Sequence, residues 1–154
     1  LDIARGLQAL HDIPGGGIVH FGLNPEKLVL DESGTVKIAD LSTCQFANAD
    51  DKGNRCALEA NLPRPGPWSA PEHFAGESLT EKLDIYSMAM IFYSVLAGKP
   101  PLDSRPHAGV PAVDPSWHPG LAEIIRDMWQ RDPVARPCAK EVVNRLESLR
   151  SRML

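Results

Sequence analysis

Residues 17–30 read GIVHFGLNPEKLVL. Two short β-favouring runs, Ile18-Val19 and Leu28-Val29-Leu30, bracket a histidine, a leucine and a Pro-Glu turn. A loop held between strands in this way is well placed to present polar side chains for chemistry. The presenting positions here carry Phe21, Gly22, Asn24 and Lys27. They supply a ring, no side chain, an amide and a cation, with no carboxylate to act as a base or hold a metal ion.

Downstream, LVLDESGTVKIAD (28–40) predicts a hairpin: Leu28–Leu30, a turn through Asp31, Glu32, Ser33 and Gly34, then Val36–Ile38. Upstream, LDIARGLQALHD (1–12) predicts an amphipathic helix. Ile3, Leu7 and Leu10 share one face with Ala4 beside them, and Gly6 weakens the pattern. IPGGG ends that helix. Its glycines follow a helix rather than a strand, so they read as a flexible connection and not as a phosphate cradle.

From Leu41 to Trp68 neither helical nor strand period appears, and Pro63, Pro65 and Pro67 close what reads as a long irregular loop. SLTEKLDIYSMAMIFYSVLAGKPP (78–101) restarts the helices, with a start signal at Thr80-Glu81 and a stop at Gly98 before Pro100-Pro101. Between Ile85 and Ala97 apolar residues fall on every face, which predicts a buried central helix. A Pro-rich connection runs from Lys99 to Pro119. GLAEIIRDMWQRD (120–132) predicts a further helix stopped by Pro133. CAKEVVNRLESLRSRML (138–154) predicts the last, with Val142, Leu146, Leu149 and Met153 on its inner face. The fold class is mainly α with small β-hairpins.

The chain of 154 residues suits one domain with a real core. Its net charge of −4 offers no basic field for nucleic acid or a membrane surface. Cys44, Cys56 and Cys138 form no Cys-x-x-Cys pair, and the five histidines show no ligand spacing, so a reducing, cytoplasmic setting is expected. Met88–Ala97 is too short to span a bilayer, and no secretory signal is present. The chain opens at Leu1 inside a helical pattern, as a piece of a longer protein would.

Six landmarks in order resemble the C-terminal lobe of a eukaryotic protein kinase over nearly the whole chain. DIARGLQALH resembles the helix before the catalytic loop. IVHFGLNPEKLVL is similar to H-R-D-L-x-x-x-N, and VKIADLS to the strand and D-F-G. WSAPE (68–72) matches A-P-E, LDIYSMAM resembles the buried helix with an Asp near its start, and RDPVARP (131–137) resembles the Arg-bearing turn before the last helix. The resemblance implies a kinase-like C-lobe over 1–154, with a catalytic-loop region at 18–30, an activation segment at 40–72 and a helical base at 80–154.

The kinase reaction is mostly positioning and charge stabilisation, so each part can be checked. By the resemblance, the Asp that accepts the substrate hydroxyl proton is Gly22, so no catalytic residue stands at the base position. The phosphoryl-stabilising Lys is Asn24, and the metal-holding Asn is Lys27, a cation that repels Mg²⁺. The Arg that pairs with an activation-loop phosphate is Phe21. Asp40 occupies the D-F-G position and is the one candidate for Mg-nucleotide; a strand-end turn cap is its other reading. His20 is expected beneath the D-F-G segment. Asp84 is expected to receive the catalytic-loop amides, and Glu72 with Arg136 to form a buried ion pair. Breaking such a pair costs about 3–5 kcal/mol. Ser69 reads as a polar loop residue, and Cys44 and Cys56 as inert thiols.

No Gly-rich loop or V-A-I-K lysine appears in the chain, so the N-lobe is absent from it and no cofactor is expected for this fragment. ATP and Mg become expected only with an N-lobe. The expectation is a pseudokinase, a binding or regulatory module with protein partners at the activation segment and residues 100–119. The alternative is a divergent active serine/threonine or tyrosine kinase that uses a substitute base, with Asp31 and Glu32 nearest in sequence. An apolar face left without an N-lobe predicts marginal stability or association.

Overall fold

The structure, a computed structural model, describes residues 1–47, 64–101 and 112–153. Cys56 lies outside the described residues, as do residues 48–63 of the expected activation segment and 102–111 of the expected Pro-rich partner segment. The elements are α1 (Asp2–His11), β1 (Ile18–Val19), β2 (Leu28–Leu30), β3 (Val36–Ile38), β4 (Gln45–Phe46), α2 (Pro71–Ala75), α3 (Lys82–Ala97), α4 (Pro119–Met128) and α5 (Ala139–Met153). Two antiparallel ribbons, β1 with β4 and β2 with β3, sit among the helices. This is the mainly helical arrangement with small β-hairpins expected from the sequence.

The core is built around α3. Leu83, Ile85, Met88, Ala89 and Ile91 are fully buried, and so is the carboxylate of Asp84. Tyr93 packs against the residues on either side of α4, meeting Trp117 edge-on at 5.7 Å and Trp129 at 6.0 Å between ring centroids. Each such aromatic pair adds about 0.5–1.5 kcal/mol beyond burial. The helix begins where Thr80 Oγ1 accepts the Lys82 N–H at 3.3 Å and ends at Gly98 in the left-handed region. It is not buried to its end, since Val95 is 75% exposed.

α1 packs on α5, β1, β3 and α3. Its Gly6 is a close-approach position, because a Cβ there would lie 3.0 Å from Ile38 Cδ1 on β3. The glycine connection is more defined than a flexible link: Gly15, Gly16 and Gly17 all take positive φ. A Cβ on Gly17 would lie 2.3 Å from the His11 carbonyl oxygen. The chain therefore enters β1 through a position, Gly17, that has no room for a side chain.

Several local features differ from the sequence reading. A 3₁₀ turn at Leu41–Thr43 and strand β4 fall inside the stretch read as irregular, and β4 pairs with β1 to satisfy its backbone amides. The short helix α2 follows Pro71 and carries no long apolar period that would announce it. α4 stops at Met128, short of Asp132, with Trp129 leaving helical geometry at φ −103° and ψ 18°. On α5, Val142 is buried and Leu146 and Leu149 pack against the core, but Met153 is exposed.

Met88→Ala should cost about 2–5 kcal/mol, because it removes a fully buried side chain from the core. Val95→Ala should stay within about 0.5 kcal/mol. Urea midpoints of the two variants check the contrast.

Candidate catalytic-loop site

The site is assembled on the buried end of α3. Asp84 Oδ2 accepts the His20 amide at 2.8 Å, and Oδ1 accepts the Phe21 amide at 3.0 Å. His11 Nε2, from the last turn of α1, lies 2.9 Å from Oδ2. A fully buried carboxylate has to be hydrogen-bonded to exist. These partners therefore fix where β1 ends and the loop begins. The loop responds with a tight turn: Phe21 has φ 61°, and the Gly22 N–H returns to the His20 carbonyl at 2.8 Å. Positive φ costs a non-glycine residue roughly 1–2 kcal/mol. The Asp84 bonds and the burial of the Phe21 ring offset it. Phe21, expected only as a missing phosphate contact, is thus a core residue.

His20 is fully buried, with Nε2 at 3.4 Å from the Ala39 carbonyl, directly before Asp40. Its own carbonyl accepts the Thr43 hydroxyl at 2.8 Å. Thr43 also explains Gly22. The backbone of Gly22 is not in the left-handed region, yet a Cβ there would lie 2.7 Å from Thr43 Oγ1. The space beside the base position belongs to the threonine hydroxyl. Asn24 caps the following 3₁₀ turn, accepting the Glu26 N–H at 2.8 Å and donating to the Gly22 carbonyl at 3.1 Å. Its amide is spent on the loop itself.

Lys27 and Asp40 meet. The β2–β3 register pairs Leu28 with Ile38, and the Ala39 N–H extends it by donating to the Lys27 carbonyl at 2.8 Å. Residue 40 is carried beside residue 27, and the Lys27 ammonium bonds Asp40 Oδ2 directly. The other oxygen, Oδ1, accepts both the N–H and the hydroxyl of Ser42. Lys27 first, then Ser42, holds the Asp40 carboxyl well below the usual carboxylate range. The backbone of Asp40 is left-handed, at φ 57°.

Of the two substitute acids nearest in sequence, Asp31 is occupied as well, and Glu32 is exposed on the hairpin turn. Asp31 Oδ1 accepts the amides of Ser33 at 2.9 Å and Thr35 at 3.0 Å, and Lys37 Nζ lies 3.5 Å from Oδ2. The Ser33 hydroxyl above all lowers its carboxyl below the ordinary range, which weakens it as a base. Cys44 is a free thiol, pushed up to about 11 by burial, so it carries little thiolate. Among the described residues no three His, Cys, Asp or Glu side chains cluster as a metal cage requires.

Glu72 and Arg136 form a buried two-pronged pair. Nη1 donates to Oε1 at 2.6 Å and Nη2 to Oε2 at 2.8 Å. The remaining donors reach the carbonyls of Lys82 at 3.0 Å, Gln130 at 2.7 Å and Arg131 at 3.2 Å. All five guanidinium N–H groups are satisfied, and the Tyr86 ring centroid lies 5.0 Å from Cζ. The pair binds α2 to the turn before α5.

Beside Gly22 a groove of about 560 Å³ runs between the catalytic loop and residues 66–69, with Leu23, Asn24, Arg64 and Trp68 on its walls. Sequence reasoning placed Asp84, Glu72, Arg136 and His20 but missed His11 and Thr43. For His11, the signal available was a polar residue ending an apolar helix face. For Thr43 there was none beyond proximity to Asp40.

The family described as protein kinase domain matches residues 1–146. Serine/threonine-protein kinase 12 of Arabidopsis thaliana is 32% identical over 162 residues, which cover 97% of this chain and 34% of that protein. Integrin-linked protein kinase 1 of the same species is 26% identical, covering 97% of this chain and 34% of its own length. Dual specificity protein kinase pyk3 of Dictyostelium discoideum is 28% identical, covering 99% and 11%. The chain spans about a third or less of the length of these curated relatives.

Gly22→Asp should lower the melting temperature, since its Cβ must displace the Thr43 hydroxyl and forfeit a hydrogen bond worth about 1 kcal/mol. Adding Thr43→Ala should make the aspartate substitution less costly than it is alone. A double-mutant cycle of thermal melts measures that coupling.

Proposed function

This chain belongs to the protein kinase family, and on that premise we propose that it is a catalytically inactive member, a pseudokinase that serves as a binding or regulatory module. The observation that carries the reading is Gly22. No side chain there can take the hydroxyl proton, and Thr43 occupies the space beside it. Asn24 brings no positive charge to a phosphoryl group, and its amide is committed to its own turn. The alternative, a divergent active kinase, needs another base, and Asp31 is held by the hairpin turn.

The residues present do not fit the divalent metal that kinases use. One of the two metal-holding positions is a lysine, and it bonds the carboxylate at the other. ATP and Mg therefore form no part of the proposed activity. Protein partners are the proposed ligands. The groove beside Gly22 supports that, since a peptide lying there meets no base and would be held rather than modified. The activation segment and residues 100–119 are proposed as further contact surfaces. A cytoplasmic setting belongs to the same proposal, supported by the free thiols of Cys44 and Cys138. Among the described residues no helix is long and apolar enough to cross a membrane.

Purified full-length protein with Mg²⁺ and ATP should incorporate no phosphate above an Asp40→Ala control. Transfer that depends on Asp40 would overturn the inactive reading.

A further inference from the structure

We propose that the Lys27–Asp40 pair is a clasp in which the Lys27 ammonium stands in for a divalent cation, so that this site takes no metal ion until Lys27 is removed. The inference deepens the reading above and rests on it for the identity of the site, but not for its test. Three observations carry it. The first is direct bonding between Lys27 Nζ and Asp40 Oδ2. The second is that the pairing is imposed by the backbone. The β2–β3 register and the Ala39-to-Lys27 hydrogen bond bring residue 40 to residue 27 whatever the side chains are. The third is that Ser42 takes Asp40 Oδ1 through both its N–H and its hydroxyl, so both carboxylate oxygens already have partners.

Charge arithmetic gives the consequence. A carboxylate with a divalent cation carries one net positive charge, and it can attract a polyphosphate. A carboxylate with an ammonium carries none. A hard divalent cation seeking oxygen ligands would have to displace a tethered cation and then sit beside it, with Coulomb repulsion against binding. The ammonium is tethered and cannot diffuse away, so it competes at a fixed effective concentration and raises the amount of divalent cation needed to occupy Asp40. What looks like the loss of a metal ligand is then a gain, an internal cation that keeps the turn at Asp40 neutral and closed.

Mn²⁺ alone is the probe, read by the loss of its free-ion electron paramagnetic resonance signal on titration into purified full-length protein. The wild type should leave the signal unchanged. Lys27→Asn should produce saturable binding of one ion per chain, and Lys27→Asn with Asp40→Asn should lose it. Lys27→Gln serves as the second variant if the first is not folded by circular dichroism. Asp40-dependent Mn²⁺ binding by the wild type overturns the clasp, and so does a folded Lys27 variant that takes no Mn²⁺. These results are independent of phosphoryl transfer. Mn²⁺ bound by a wild type that transfers no phosphate removes the clasp and leaves the inactive reading. Transfer without such binding does the reverse.

Discussion

A single carboxylate organises the loop. Asp84 sits at the first turn of α3 with no exposure to water, and its oxygens take the amides of His20 and Phe21 and a ring nitrogen of His11. A buried charge tolerates no free lone pair cheaply, so three elements must converge on it: α1, the end of β1 and α3. The left-handed Phe21 follows, because its amide has to turn toward Asp84. The turn at Gly22 follows from that. These constraints rest on backbone amides, a buried carboxylate and a histidine ring, and the side chains of Asn24 and Lys27 take no part in them.

The replacements are themselves structural. Phe21 fills core volume, Asn24 caps a turn, Gly22 makes way for Thr43, and Lys27 neutralises Asp40. A larger side chain at Gly22 would disturb the bond that Thr43 makes to the His20 carbonyl. The Glu72–Arg136 pair does for the base of the domain what Asp84 does for the loop. With every guanidinium donor satisfied, removing either partner would strand a buried charge at about 3–5 kcal/mol.

Much of this was legible in the sequence. The all-round apolar run of α3, the hairpin at 28–38 and the ordered landmarks set the fold class, because they rest on local periodicity and turn chemistry. The roles of Asp84, Glu72 and Arg136 came through resemblance. What stayed hidden depends on tertiary proximity. β4 is two residues long and is defined by its pairing with β1. His11 looks like an ordinary helix end until α3 is laid beside it. The Lys27–Asp40 contact was within reach: a hairpin turning at Asp31–Gly34 already sets residue 27 against 39, and so beside 40. Considered singly, the two residues read as a repelled metal and a metal ligand. Taken as neighbours they are partners.

The central claim is that Asp84 holds the catalytic-loop backbone without help from catalytic groups. Residue-resolved amide hydrogen exchange on the full protein tests it most directly. The His20 and Phe21 amides should exchange as slowly as the core amides of α3 and speed up in Asp84→Asn. Exchange at the rate of an unprotected loop in the wild type, or no change in the variant, would contradict it.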